Sequence, residues 1–151
     1  MINLFLIFPI IETLNIEKGM IPIMKFNSLI PELSVSNIEI SKKFYLALGF
    51  QIKYERKEDK FCFLELEENQ IMIEEINNNW NTGTLEYPFG RGINISMTVT
   101  DVSALYNYLQ KQQIKIFREL KTDEYRVEDI IYKDQEFLIQ DPDGYLLRFT
   151  N

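Results

Sequence analysis

Residues 33–55, LSVSNIEISKKFYLALGFQIKYE, align without a gap on residues 97–119, MTVTDVSALYNYLQKQQIKIFRE, at an offset of 64 (97 − 33). A repeat inside one chain constrains the fold strongly, because both copies must adopt one supersecondary unit. Each copy reads strand, cap, helix, strand. In the first, Leu33 and Val35 alternate with Ser34 and Ser36, and Asn37 is an N-cap. Ile40, Phe44 and Leu48 then recur at helical spacing, and Gly49 closes the helix. In the second, Met97 and Val99 alternate with Thr98 and Thr100, Asp101 caps, and Val102, Leu105 and Leu109 form the buried stripe.

Strands follow each helix. QIKYER and KFCFLELE, joined by the polar KED, and QIMIEE after the turn EEN, read as a three-stranded meander. KIFREL, IIYKDQEFLIQ and YLLRFT fill the same roles in the second half, with KTDEYRVED an added polar insertion that reads as a solvated loop, a lid or a subunit contact. The expected fold is therefore α+β. Two βαβββ modules, about 27–80 and 92–151, form a curved, cup-like mixed sheet within a single domain over 25–151, joined by NNNWNTGTLEYPFGRG. Such a unit has one apolar sheet face and cannot close alone, which places a ligand on the concave face between the two copies.

Residues 1–24 are an N-terminal extension of doubtful status. MINLFLIFPII lacks a basic start and a cleavage site and is too short to span a bilayer, so a cytoplasmic protein without a membrane partner is expected. Residues 1–23 fit nothing in the repeat, and a translation start at Met20 or Met24 is the alternative to Met1.

Composition narrows the chemistry. The chain has no histidine, which removes the usual general base and metal ligand together with every Ser-His or Cys-His arrangement. Cys62 is the one cysteine, inside an apolar strand, and reads as a buried, inert thiol. Sixteen basic against twenty-three acidic residues give a net charge of -7. That argues against nucleic acid and suits a cationic small molecule, although solubility alone also explains acidity.

The segments IPELSVSNIEISKKFYLALGFQI, FGRGINISMTVTDVSALYNYL and FLIQDPDGYLLRF resemble the vicinal oxygen chelate superfamily, which unites glyoxalases, extradiol dioxygenases and bleomycin resistance proteins. Within it the likeness is to the bleomycin resistance protein-like group. The resemblance implies paired βαβββ modules, commonly in a homodimer. In many members it also implies a divalent metal held by His, Gln and Glu, whereas the bleomycin-binding members lack the metal and sequester the drug, giving antibiotic resistance. The metal-binding positions fall at Ile30, at Asn94, at Glu74 or Glu75, and at Arg148. Arginine keeps its proton and is no ligand, so the resemblance implies neither a metal nor another cofactor and no catalytic residue here. An ion pair from Glu74 or Glu75 to Arg148 is the expected replacement.

The candidate ligand-binding residues are accordingly Trp80, Glu74, Glu75, Arg148 and Asn94. Trp80 stacks on a flat ligand or covers a partner subunit; of the two adjacent glutamates, strand alternation sends one inward. Tyr54, Phe61 and Phe63 read as core. The GRG around Arg91 reads as a hinge or, less simply, a phosphate loop, and DPDG at 141–144 as a structural turn. The expected function is non-enzymatic binding of a cationic, bleomycin-like molecule. The alternatives are an enzyme of the superfamily (glyoxalase, dioxygenase or thiol transferase-like) with an atypical metal site or none, and a regulatory or partner-binding domain without a ligand.

Overall fold

The computed structural model describes residues 24–151, so the readings made on the preceding segment, including a start at Met20, lie outside the described residues. The repeat organises everything else. The first copy runs β1 (Glu32–Val35), α1 (Ile38–Ala47), β2 (Gln51–Arg56), β3 (Phe61–Leu66) and β4 (Asn69–Glu75). The second runs β5 (Asn94–Thr98), α2 (Val102–Lys111), β6 (Ile116–Val127), β7 (Ile130–Gln140) and β8 (Leu146–Thr150). Both caps are where the repeat puts them. Asn37 Oδ1 accepts from Ile40 N at 3.0 Å and Asp101 Oδ1 from Ala104 N at 2.8 Å, satisfying amides that a helix start leaves open.

The strands form two four-stranded mixed sheets, ordered β1-β4-β3-β2 and β5-β8-β7-β6, with β1 parallel to β4 and β5 parallel to β8. Among the described residues no ladder joins one sheet to the other. Each sheet turns one face to its helix, and these faces share a single core that runs from Val35, Leu64 and Ile73 to Met97, Ile139 and Phe149. Cys62 lies in that core, and burial pushes its thiol up to about 11, as an inert cysteine requires.

Two sequence readings are corrected. The buried stripe of α1 is Ile38, Ser41 and Tyr45, continued by Leu48, whereas Ile40 is 57% exposed. The polar atoms of Ser41 and Tyr45 disguised that face, and both find buried partners. Phe61 and Phe63 are buried as the sequence reading expected, and they stack with the half-buried Tyr54 on the sheet face away from the helix, Tyr54 and Phe63 with centroids 5.3 Å apart. KTDEYRVED is no loop. Most of it lengthens β6, which pairs with β7 in a hairpin arm that reaches past the other strands.

The DPDG turn locks one copy to the other. Asp141 and Asp143 are 3% and 4% exposed. Asp141 accepts from Tyr45 Oη at 3.0 Å, Tyr145 N at 2.8 Å and Asp143 N at 3.0 Å. Asp143 Oδ2 accepts from Ser36 N at 3.1 Å and Ser41 Oγ at 3.4 Å, and Tyr145 Oη donates to Ser34 O at 3.0 Å. A turn of the second copy thus fills the polar end of β1 and α1 in the first.

Candidate functional site

Because β1 and β5 lie in separate sheets, a cleft of about 630 Å³ opens where the starts of β1 and β4 face β5. Its volume is within the range that holds a drug-sized ligand. Glu32 and Glu68 supply its carboxylates, Asn27, Asn69, Gln70 and Asn94 its amides, and Leu29, Pro31 and Ile93 apolar wall; among the described residues no lysine or arginine lines it. The segment before β1 is held in place by Gln70, whose Oε1 accepts from Asn27 N at 2.8 Å while its Nε2 donates to Lys25 O at 2.9 Å. Asn69 Nδ2 donates to Thr98 O at 2.7 Å, tying the copies together at the cleft wall.

Glu32 and Glu74 share the face of the first sheet that points away from α1, since Ser34 pairs with Glu74 in register and Glu32 lies two residues before it. Burial, with the charge of Glu74 second, raises the Glu32 carboxyl above its ordinary value. Glu74 itself is 8% exposed and accepts from Trp80 Nε1 at 2.9 Å, while the indole remains 63% exposed. Two of the candidate residues are therefore one unit: a buried carboxylate aims an exposed aromatic ring. Trp80 is the chain's single tryptophan. Replacing Glu74 by alanine is expected to shift its emission and lower its anisotropy in the folded protein. An unchanged spectrum and anisotropy would mean that Glu74 does not hold the ring.

The other candidates part company. Glu75 points to the helix side, accepts from Ile38 N at 3.1 Å at the start of α1 and pairs with Lys60. The Lys60 hydrogen bond, then the Ile38 amide, hold its carboxyl below the ordinary range. Asn94 lines the cleft. Arg148 does not reach either glutamate, and the expected ion pair across the cup is replaced by pairs within the second sheet. Its Nε lies 2.6 Å from Glu136 Oε2 and its Nη2 3.5 Å from Asp134 Oδ2. The Nε contact is an ion pair rather than a directed hydrogen bond, since that buried N–H meets no acceptor in line. Register explains the correction: Arg148 stands opposite Ser96 and Leu138, beside its own sheet's acids, whereas Glu74 belongs to the other sheet.

The donor set does not fit a divalent metal. Glu74 is tied to Trp80, Arg148 to two acids, and among the described residues no three carboxylates or thiolates converge. Glu32 and Glu68 escaped the sequence reading. Alternation through Ile30, Glu32 and Ser34 was the available signal for Glu32; Glu68, in a turn, gave none.

A family model described as Glyoxalase/Bleomycin resistance protein/Dioxygenase superfamily matches residues 25–149. The crystal structure of a member of that superfamily from Vibrio splendidus 12B01 is 32% identical over 79% of this chain and 92% of that one; its TM-score of 0.37 makes this a likeness of sequence only. A glyoxalase/bleomycin resistance protein/dioxygenase from Alicyclobacillus acidocaldarius is 20% identical, covering 82% of this chain and 89% of that one, with a TM-score of 0.58. TioX from Micromonospora sp. ML1 is 14% identical over 83% and 98%, with a TM-score of 0.65. No curated protein matches.

Proposed function

Since the chain belongs to the Glyoxalase/Bleomycin resistance protein/Dioxygenase superfamily, we propose that it is a non-enzymatic binding protein that sequesters a cationic, aromatic, drug-like molecule. Its role would be antibiotic resistance by stoichiometric capture in the cytoplasm. The observation that carries this reading is the lining of the 630 Å³ cleft, two carboxylates and four amides against apolar wall with no cationic side chain among the described residues. A cation entering there meets Glu32 and Glu68, while the amides fix its orientation. Trp80, held by Glu74 on the adjoining face of the first sheet, offers an aromatic surface to the part of a larger ligand that extends beyond the cleft.

The test separates charge from shape. An aromatic amine and its neutral N-acetyl form are titrated against the native chain and against the double variant Glu32→Gln/Glu68→Gln. The native chain is expected to prefer the cation by roughly tenfold or more, with the preference falling as salt is added. The double variant is expected to lose it. Equal affinity for both forms, or a preference that survives in the variant, would put recognition elsewhere.

A further inference from the structure

The hairpin arm has no role in the cleft. Strand β8 accompanies β7 only over residues 136–140, so from Thr122 to Gln135 the β6–β7 ladder stands without a third strand. Residues 122–127 alone extend it by roughly 20 Å at about 3.3 Å per residue. The register shifts of β6 lie between Ile116 and Lys121, and beyond them the ladder is regular to the tip. Tyr125, Val127, Ile130 and Tyr132 share one face, are 51%, 50%, 57% and 43% exposed, and include a stacked Tyr125–Tyr132 pair at 5.6 Å. An isolated two-stranded ribbon is marginal in water, and among the described residues β6 ends its sheet with no strand on its outer edge.

We propose that the occupant of that edge is β6 of a second copy, paired antiparallel about a two-fold axis through Tyr125. The sequence of the arm is complementary to itself in this register. A two-fold perpendicular to the sheet keeps each face continuous across the join and sets residues equally spaced from the axis opposite one another. Tyr125 meets the partner's Tyr125, Glu124 meets the partner's Arg126, and Arg126 the partner's Glu124. Moving the axis one residue either way sets Glu124 against the partner's Glu124 or Arg126 against the partner's Arg126, and like charges directly opposite are destabilising. In the favoured register the two Tyr125 rings meet on one face, where Val127 stands opposite the partner's Asp123; within each chain Asp123 lies 2.6 Å from Lys121. The Glu124–Arg126 pairs lie on the other face, where Glu124 already lies 3.0 Å from Lys133 of its own chain.

Charge reversal tests the register. Self-association of the full chain is followed by sedimentation across a concentration series, with circular dichroism to confirm folding. The native chain is expected to dimerise. Glu124→Arg alone and Arg126→Glu alone each turn two attractive contacts into two repulsive ones, which weakens the dimer by roughly tenfold or more. The double variant Glu124→Arg/Arg126→Glu is expected to recover it, as is an equimolar mixture of the two single variants, in which every opposed pair is again of opposite sign. A native chain that stays monomeric throughout, or a dimer that neither reversal weakens, would overturn the proposal.

Discussion

Replacing Asp141 by alanine is expected to destabilise the fold by about 3–5 kcal/mol, well beyond the loss of a helix cap or a surface ion pair. The carboxylate accepts three hydrogen bonds inside the protein, one from Tyr45, whose ring is fully buried. Alanine leaves that hydroxyl and the amides of Asp143 and Tyr145 without their acceptor at the junction of the two copies. Asparagine keeps one acceptor oxygen and is expected to cost much less. Acidity supplies a second signature. Burial pushes the Asp141 carboxyl from 3.8 up to about 6, outweighing the hydrogen bonds that pull it down. The folded state then holds the proton more tightly than the unfolded one. The stability this group contributes is therefore fully present below pH 3.8 and is lost as pH rises through about 6. The loss is on the order of 3 kcal/mol. Glu55, Glu65 and Glu75, whose carboxyls are lowered from 4.5, act the other way, losing their contribution as pH falls below that value. Because the Glu32 carboxyl is also raised, the Asp141 slope is read as the difference between the native chain and Asp141→Asn in urea unfolding between about pH 4.5 and 7.5. The native chain should lose more stability across that window, and equal slopes in the two proteins would show that the Asp141 carboxyl titrates normally.

The second large effect is expected at Gly144, the last residue of the same turn. Its φ is +91°, and a Cβ there would lie 2.5 Å from Pro88 Cβ and 2.7 Å from Pro88 Cα. Alanine must therefore bear left-handed backbone strain and also push the connector off the turn, together about 2–5 kcal/mol. Gly92 is the internal control: its φ is +82°, yet among the described residues nothing lies within 4 Å of its Cβ position, so alanine there bears the strain alone, about 1 kcal/mol. Thermal melts of the two variants should separate clearly, with Gly144→Ala the lower. Equal losses would mean that the connector yields freely and that close packing at Pro88 contributes nothing.

The two helices, their caps and the order of strands were legible because each rests on local chemistry repeated at a fixed interval. Asn37 and Asp101 cap for the same reason in both copies. The face of α1 was not legible, since Ser41 and Tyr45 look polar until Asp143 and Asp141 arrive from about a hundred residues away. The arm was hidden by its exposure: with both faces in water, its alternation carries no contrast between apolar and polar positions. At the site, Asn94 was placed by the resemblance, and the adjacency of Glu74 and Glu75 announced that they face opposite ways. The bond from Trp80 to Glu74 and the presence of Glu32 and Glu68 in one cleft depend on how a connector and a turn settle against the sheets, which no periodicity encodes. Arg148 was misassigned because the acids that hold it, Asp134 and Glu136, sit on a strand read only for its apolar residues.

The most direct test of the central claim is a calorimetric titration of the full 151-residue chain with metal-free bleomycin, repeated on Glu32→Gln/Glu68→Gln. The account predicts saturable, equimolar binding that strengthens at low salt and collapses in the variant. Absence of heat together with an unmoved melting temperature, or binding that the variant leaves intact, would contradict it.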